Sequence, residues 1–276
     1  MSTAQVPDQH DEVLDAADRL VAAVLDDLQP VLLERSGGHR TTAKFDGTPV
    51  TTTDLLVDKR LAEAISVDFR DHDVLSEEGT TTWSGNEWTW IVDPIDGTSN
   101  FAAGLPYWAV SVALAHRGHP VYGCVAAPAL GERFVGRRGH GTYLVDADGV
   151  RTPLRVRARV DFRNGRNRHV PIAVSAGTIR RSTGTSIRLN PRIMGAWALD
   201  LALVAAGRFV GSYATVPKVW DVAAGTLLVE EAGGATRTLG TPLLPLRRDI
   251  DYATTSAPLA TGPDDGWVED LVRSIA

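Results

Sequence analysis

Cysteine is nearly absent from this 276-residue chain, in which Cys124 is the only one. A single cysteine excludes an internal disulfide framework and any zinc site built from cysteines alone. The chain also lacks a run of the roughly 18 apolar residues that a membrane-spanning helix needs, so we expect no membrane partner. Because residues 1–15 are polar and acidic, with no apolar signal segment, we expect a cytoplasmic protein with a disordered leader at residues 1–10.

A surplus of basic charge is lacking as well. The chain has 28 Lys+Arg against 34 Asp+Glu, a formal net charge of −6, which argues against nucleic acid as a partner. Thirteen arginines nevertheless fall within residues 137–192, where the only acids are Asp146, Asp148 and Asp161. Two interpretations of this stretch stay open. It is either a solvated sheet edge whose charges prevent strand pairing, or a surface for a partner or a second anionic group of a substrate.

The periodicity of apolar residues predicts a mixed α/β chain. At roughly 150 residues per domain, the length fits one large or two intimate domains. We predict helices over 11–34, 52–69, 196–206, 222–231 and 264–275. We predict a mainly antiparallel sheet from short strands between 74 and 145, and further strands at 209–213 and 235–238. The chain is thus divided into an α+β half (11–150) and an α/β half (151–276) of one compact unit.

The segment after the apolar strand Trp88–Val92 carries the strongest chemical signal. Asp93 and Asp96 are three residues apart, and Pro94 favours extended backbone at Asp93, so the two carboxylates can converge. Such carboxylates repel each other unless a hard cation such as Mg²⁺ binds between them. If residues 97–99 begin a helix, their N–H groups favour a phosphate. The alternative is a turn whose aspartates bond only to backbone.

Three further acids extend this pattern. Glu77 follows a short strand, Asp54 lies in the first turn of the second predicted helix, and Asp221 is a predicted helix N-cap. Each also has a simpler interpretation, as a helix cap or a surface acid.

Two segments together resemble the signatures of the inositol monophosphatase family of magnesium-dependent, lithium-sensitive phosphomonoesterases. They are Asp93-Pro94-Ile95-Asp96-Gly97-Thr98 and Trp220-Asp221-Val222-Ala223-Ala224-Gly225, and the resemblance covers residues 11–275. It implies a layered αβαβα fold, a metal-activated water as the nucleophile, and a homodimer.

The resemblance also implies a role for each matching residue. Glu77, Asp93 and the carbonyl of Ile95 match ligands of a first Mg²⁺, and Asp93, Asp96 and Asp221 match ligands of a second. A third, weaker ion is expected near Glu77 through water, giving two or three ions in each site.

Other matching positions concern water, phosphate and a basic side chain. Asp54 and Thr98 match the pair that orients the attacking water, and the backbone of Gly97 and Thr98 matches a phosphate cradle. Lys44 matches a mobile basic residue near the metals, or is an ordinary surface lysine.

The positions expected to contact the substrate depart from the inositol-specific pattern. Ala214 stands where those members have an acid, and Trp197 follows Gly195 and Ala196 where small residues are usual. The tryptophan lies either beside the substrate or in the core, and Asp200 either supports the next strand or contacts the substrate. We expect a small inositol or sugar phosphate as substrate. Histidinol phosphate, a nucleotide phosphate and a non-catalytic ligand-binding role are the alternatives.

Overall fold

The computed structural model describes residues 9–38, 42–43, 49–162, 166–181 and 189–275. Within these ranges the helices are α1 (Gln9–Arg35), α2 (Thr52–Asp68), α3 (Thr98–Ala103), α4 (Ala176–Arg181), α5 (Trp197–Ala205), α6 (Val219–Glu231) and α7 (Asp265–Ile275). The strands are β1 (Thr42–Ala43), β2 (Pro49–Val50), β3 (Asp73–Ser76), β4 (Trp88–Asp96), β5 (Ala109–His116), β6 (His119–Ala127), β7 (Glu132–Arg137), β8 (Gly141–Val145), β9 (Arg151–Pro153), β10 (Pro171–Val174), β11 (Asn190–Arg192), β12 (Ser212–Ala214), β13 (Ala235–Thr238) and β14 (Leu259–Gly262).

The larger sheet has seven strands in the order β3-β4-β5-β6-β7-β8-β9. Its neighbours are antiparallel except for β3 and β4, which run parallel. The carboxyl ends of two parallel neighbours lie at the same edge of a sheet. Glu77, directly after β3, therefore lies at the same edge as Asp93 and Asp96 at the end of β4.

Strand β4 is buried on both faces. Trp90 and Val92 pack into the core that contains α1 and α2, whereas Ile91 packs into the core that contains α5 and α6. Successive side chains of a strand point to opposite faces, so a strand between two helical layers needs apolar residues at consecutive positions. This explains the unbroken apolar run before Asp93.

The smaller sheet has five strands in the order β11-β10-β12-β14-β13. Strand β10 is parallel to β11 and β12, and β14 is antiparallel to β12 and β13. Helices α5 and α6 lie between the two sheets, and α7 packs against β13 and β14. The succession α1/α2, large sheet, α5/α6, small sheet, α7 confirms the predicted αβαβα layering.

Several boundaries differ from the prediction. Helix α1 begins at Gln9 rather than 11, and the strand predicted at 209–213 lies at Ser212–Ala214. The prediction missed β1, β2, β9, β10, β11, β14 and α4. These elements are short, so periodicity carries little signal for them. Among the helices of the described ranges, none is long and apolar enough to cross a membrane.

Candidate active site

An irregularity in β4 brings its two aspartates to the sheet edge. Asp93 pairs with Ser111 of β5 and Asp96 pairs with Ala109, so the register shifts between them. A bulge of this kind bends a strand and changes the direction of its side chains. Both aspartates are buried, at 1% and 6% exposure.

Gly97 joins the end of β4 to helix α3. Its φ of 87° lies in the left-handed region, which glycine adopts without a steric penalty. A Cβ at this position would lie 3.0 Å from the Cβ of Ala196 and 3.2 Å from the carbonyl oxygen of Tyr107. Both the backbone conformation and the close packing therefore require glycine. Thr98 begins α3, so of the two interpretations left open for this segment the structure has the helix start rather than a turn alone.

Asp54 is held from two sides in the first turn of α2. Its Oδ2 accepts hydrogen bonds from the backbone N–H of Thr51 at 2.8 Å and from the Thr51 hydroxyl at 2.5 Å. Its Oδ1 accepts from the Thr98 hydroxyl at 3.0 Å. That hydroxyl also lies 3.0 Å from the carbonyl oxygen of Ile95. The structure thus brings together the two residues expected to orient water.

Asp96 joins the large sheet to helix α5. Its Oδ1 accepts from the N–H of Trp197 at 2.7 Å, and its Oδ2 accepts from the N–H of Leu199 at 3.1 Å. Burial raises the pKa of Asp96 to about 7, against the opposing effect of these two hydrogen bonds. One metal-ligand candidate therefore also fixes the start of the helix that follows Gly195 and Ala196.

Asp221 is the third residue of α6, not its N-cap as predicted. The N-cap is Lys218, whose backbone N–H donates to Asp221 Oδ2 at 2.7 Å, and this bond starts the helix three residues earlier than periodicity indicated. Burial, followed by repulsion from Asp96 and Glu77, raises the pKa of Asp221 well above its usual range.

A cavity of about 220 Å³ opens where these elements meet. It is lined by Glu77, Asp93, Ile95, Asp96, Gly97, Thr98, Ser99, Gly195, Trp197 and Asp221. Nine of these ten residues were candidate ligands or contacts in the sequence. The tenth, Ser99, was expected only to offer its backbone N–H to a phosphate together with Gly97 and Thr98, and it lies in the first turn of α3.

Four of the candidates that the structure describes are not among the residues that line this cavity. Asp54 contacts it through Thr98, and Ala196 packs against Gly97. Ala214 is fully buried in β12, between β10 and β14. Asp200 is buried in α5, where its Oδ1 accepts from the Tyr107 hydroxyl at 2.5 Å. Lys44 lies outside the described residues.

Two residues that sequence reasoning missed support the site. The Tyr107 hydroxyl donates to Asp200, and burial raises the pKa of Asp200 to about 8. The Asn100 side-chain amide donates to the carbonyl oxygens of Tyr107 and Met194, each at 2.7 Å, and so ties α3 to the segment before Gly195. No local pattern marks either residue, because their partners are distant in sequence.

Asp93 is the electrostatic centre of the cavity. Burial raises the pKa of its carboxyl well above the usual range, and repulsion from Glu77, Asp96 and Asp221 raises it further. Its Oδ1 is buried and has no hydrogen-bond partner within the described residues. A buried oxygen of this kind is costly unless a cation or proton satisfies it.

The donor set fits a hard divalent cation, because every candidate side-chain ligand is a carboxylate. Across the described ranges, no group of three Asp, Glu, His or Cys side chains is arranged so that it could already hold a metal ion. A bound cation would offset the mutual repulsion of these carboxylates.

Comparisons with known proteins identify the family. The model of the "Inositol monophosphatase family" matches residues 9–263. The chain is 34% identical to the Nus factor SuhB of Pasteurella multocida, over 73% of this chain and 76% of that protein. It is 36% identical to the histidinol-phosphatase of Mycobacterium tuberculosis, over 72% and 78%.

A solved structure agrees with these sequence matches. The extragenic suppressor protein suhB of Bartonella henselae superimposes with a TM-score of 0.78 at 26% identity, covering 94% of this chain and 98% of that one. The chain therefore belongs to the inositol monophosphatase family, and it is a phosphoric monoester hydrolase.

Proposed function

We propose that this protein hydrolyses a small phosphate monoester, an inositol or sugar phosphate, with the help of two or three Mg²⁺ ions. The observation that carries the proposal is Asp93, whose buried oxygen has no partner among the described residues. Burial raises the pKa of Asp93, and four neighbouring carboxylates raise it further. A protein that used this edge only for stability would gain nothing from such repulsion.

The ligand assignment follows the family pattern. Glu77, Asp93 and the carbonyl of Ile95 would hold one ion, and Asp93, Asp96 and Asp221 a second, with Asp93 shared. A third would lie near Glu77 through water. When bound, Mg²⁺ lowers the pKa of a coordinated water and stabilises the departing oxygen.

The protein's own groups orient the water and the phosphate. The Thr98 hydroxyl donates its proton to Asp54 Oδ1 at 3.0 Å. The lone pairs of the hydroxyl oxygen stay available to accept from a water, which Thr98 and Asp54 would orient together. The backbone of Gly97 and Thr98, at the start of α3, would bind phosphate oxygens. Phosphoryl transfer depends mainly on such positioning and on charge neutralisation.

Substrate choice rests on the cavity wall. Gly195 and Trp197 both line the cavity. An indole turned toward the cavity would offer a flat apolar face to the substrate. Ala214 supplies no carboxylate for ring hydroxyls, which weakens discrimination among polyols. Histidinol phosphate is the main alternative, since a relative carries the name histidinol-phosphatase. A nucleotide phosphate remains a further alternative.

We propose that nucleic acid is not a partner, although some relatives are named Nus factor SuhB. Several arginines of the basic stretch pair with acids from other segments: Arg137 with Asp15, Arg138 with Glu230, Arg151 with Asp18, and Arg159 with Asp264. This pairing cancels charge that a phosphate backbone would otherwise need. Salt-dependent binding of RNA by the purified protein would contradict the proposal.

The family resemblance also supports a homodimer and a cytoplasmic location. The buried, unpaired Cys124 fits a reducing compartment. Sedimentation equilibrium would test the dimer, and a sedimenting monomer at micromolar concentration would contradict it.

The decisive experiment is phosphate release from a panel of monoesters, with Mg²⁺ and with a chelator. We expect release that depends on Mg²⁺, highest for an inositol or sugar phosphate. Preference for histidinol phosphate would select the alternative substrate. Binding of monoesters without release from any of them would favour the non-catalytic role and refute the enzyme proposal.

A further inference from the structure

A second cavity, of about 380 Å³, lies beside strand β3 and shares no lining residue with the candidate active site. Its wall is built from β3, from the start of β4 and from the loop between them. The volume falls within the usual range of small-molecule sites, about 300–1,000 Å³. No role proposed above uses this cavity.

The wall is rich in groups that bind hydroxyls. It includes the exposed hydroxyls of Thr80, Thr82 and Ser84 and the half-buried carboxylate of Asp73. His72 and Thr89 also line the cavity, but Thr89 is buried and the Nδ1 of His72 has almost no accessible surface, so a ligand does not reach these two groups.

An aromatic ring and the lack of cationic side chains among the described lining residues limit the class of ligand that the second cavity can bind. The Trp83 side chain lines the cavity, and its indole N–H donates to the Thr89 hydroxyl at 3.0 Å. None of the described lining residues is Lys or Arg. A phosphorylated ligand would therefore meet the Asp73 carboxylate without a compensating cation, whereas a neutral polyol meets hydroxyls, a carboxylate and an apolar ring.

The wall is fixed before any ligand arrives. The His72 ring stacks on Trp88 at 5.5 Å and 9°. Asp73 accepts from the side chains of Ser84 and Asn86. The loop is tied to a distant segment, because the N–H of Tyr252 donates to the carbonyl of Thr81 at 2.9 Å. A wall held in this way loses little conformational entropy on binding.

We infer that this second cavity binds a neutral polyhydroxylated small molecule, a free sugar or cyclitol, at a site separate from the catalytic one. The inference stands on the cavity, its exposed hydroxyls, the Asp73 carboxylate and the Trp83 side chain, and it does not depend on the proposed catalytic activity.

The test is a titration of the full-length, ¹⁵N-labelled protein with myo-inositol and with glucose. The reporter is the indole resonance of Trp83, identified by its loss in Trp83→Phe. We expect a saturable shift at Trp83 for at least one of the two probes. Thr80→Val removes an exposed hydroxyl of the wall and keeps the shape of the side chain, so it should weaken binding about tenfold, the effect of one hydrogen bond.

Controls separate this site from the active site. Asp93→Asn should bind the same probe with unchanged affinity, and Thr82→Val, at an exposed position, provides a second cavity variant should Thr80→Val be unstable. Inorganic phosphate should leave the Trp83 resonance unmoved. The inference is overturned by an unmoved Trp83 resonance with both probes, by unchanged affinity in both cavity variants, or by loss of binding in Asp93→Asn.

Discussion

The Thr98 hydroxyl donates to Asp54 Oδ1 across 3.0 Å, although the two residues are 44 positions apart. This contact joins the first turn of α2 to the first turn of α3 at the edge of the large sheet. Because Thr51 holds the other oxygen of Asp54, the carboxylate has a single orientation relative to Ile95 and the cavity.

Removing the Thr98 hydroxyl should therefore slow turnover without unfolding the protein. We expect Thr98→Val to lower kcat by roughly 100-fold, the scale of a lost water-orienting group, and Thr98→Ser to retain most activity. The double variant with Asp54→Asn should be little slower than Asp54→Asn alone, because the two residues act as a unit. Steady-state kinetics on the best monoester measures this, and an unaffected Thr98→Val would exclude the pair from catalysis.

Asp93→Asn should abolish most activity. We expect kcat to fall by roughly two orders of magnitude or more, because the residue would bridge two cations. The fold should survive, since the change removes a repelled buried charge. Steady-state kinetics measures the loss of kcat, and the circular dichroism spectrum shows whether the fold survives. The thermal shift with Mg²⁺ reports binding of the ion, and Asp249→Asn, at an exposed position, is the control. Near-normal turnover would refute the bridging role.

Lithium at millimolar order should inhibit turnover, as the family resemblance implies. A monovalent ion at the second position supplies less charge to the departing oxygen than Mg²⁺ does. Initial rates should fall with LiCl and stay constant with NaCl at equal ionic strength. Equal rates in the two salts would contradict the proposed second metal position.

The Asp200 carboxyl should make stability depend on pH. Its pKa is about 8 in the folded protein and about 3.9 in an unfolded chain, so the folded state binds the extra proton between these values. The free energy of unfolding should fall as pH rises through this window, by up to about 1.4 kcal/mol per pH unit, an effect that Asp200→Asn removes.

Urea unfolding of wild type and Asp200→Asn between pH 5 and 8, with a chelator present, measures this difference. The variant should gain stability relative to wild type as pH rises. Tyr107→Phe removes a hydrogen bond that lowers the pKa of Asp200, so it should extend the window to higher pH. If the difference in the free energy of unfolding between wild type and Asp200→Asn were constant with pH, the raised pKa of Asp200 would be contradicted.

Ala214→Glu should raise the preference for inositol phosphate over other monoesters. Ala214 does not line the cavity, so the effect requires that the longer side chain extend into it. A carboxylate there would accept hydrogen bonds from ring hydroxyls, whereas Ala214→Gln, of similar size, would bind them more weakly. The ratio of kcat/KM between inositol phosphate and a competing substrate is the measurement. Because Ala214 is fully buried, melting temperatures must accompany it. An unchanged ratio in a folded variant would remove this position from the specificity argument.

The sequence by itself determined the carboxylates, the long helices and the buried strand before Asp93. These features follow from local rules: helical periodicity, an apolar run between two cores, and a proline between two aspartates. The left-handed backbone at Gly97 also follows from a local rule, since a strand that turns directly into a helix favours glycine at the junction.

Only the tertiary structure decided which of these groups meet. The parallel pairing of β3 with β4 brings Glu77 to Asp93, and the packing of α6 between the sheets brings Asp221 to the same cavity. The bond from Trp197 to Asp96 and the pairing of Tyr107 with Asp200 depend on sheet register and helix packing. Burial then raises the pKa values of these carboxyls, because the energy of a charge depends on all the groups that surround it in space.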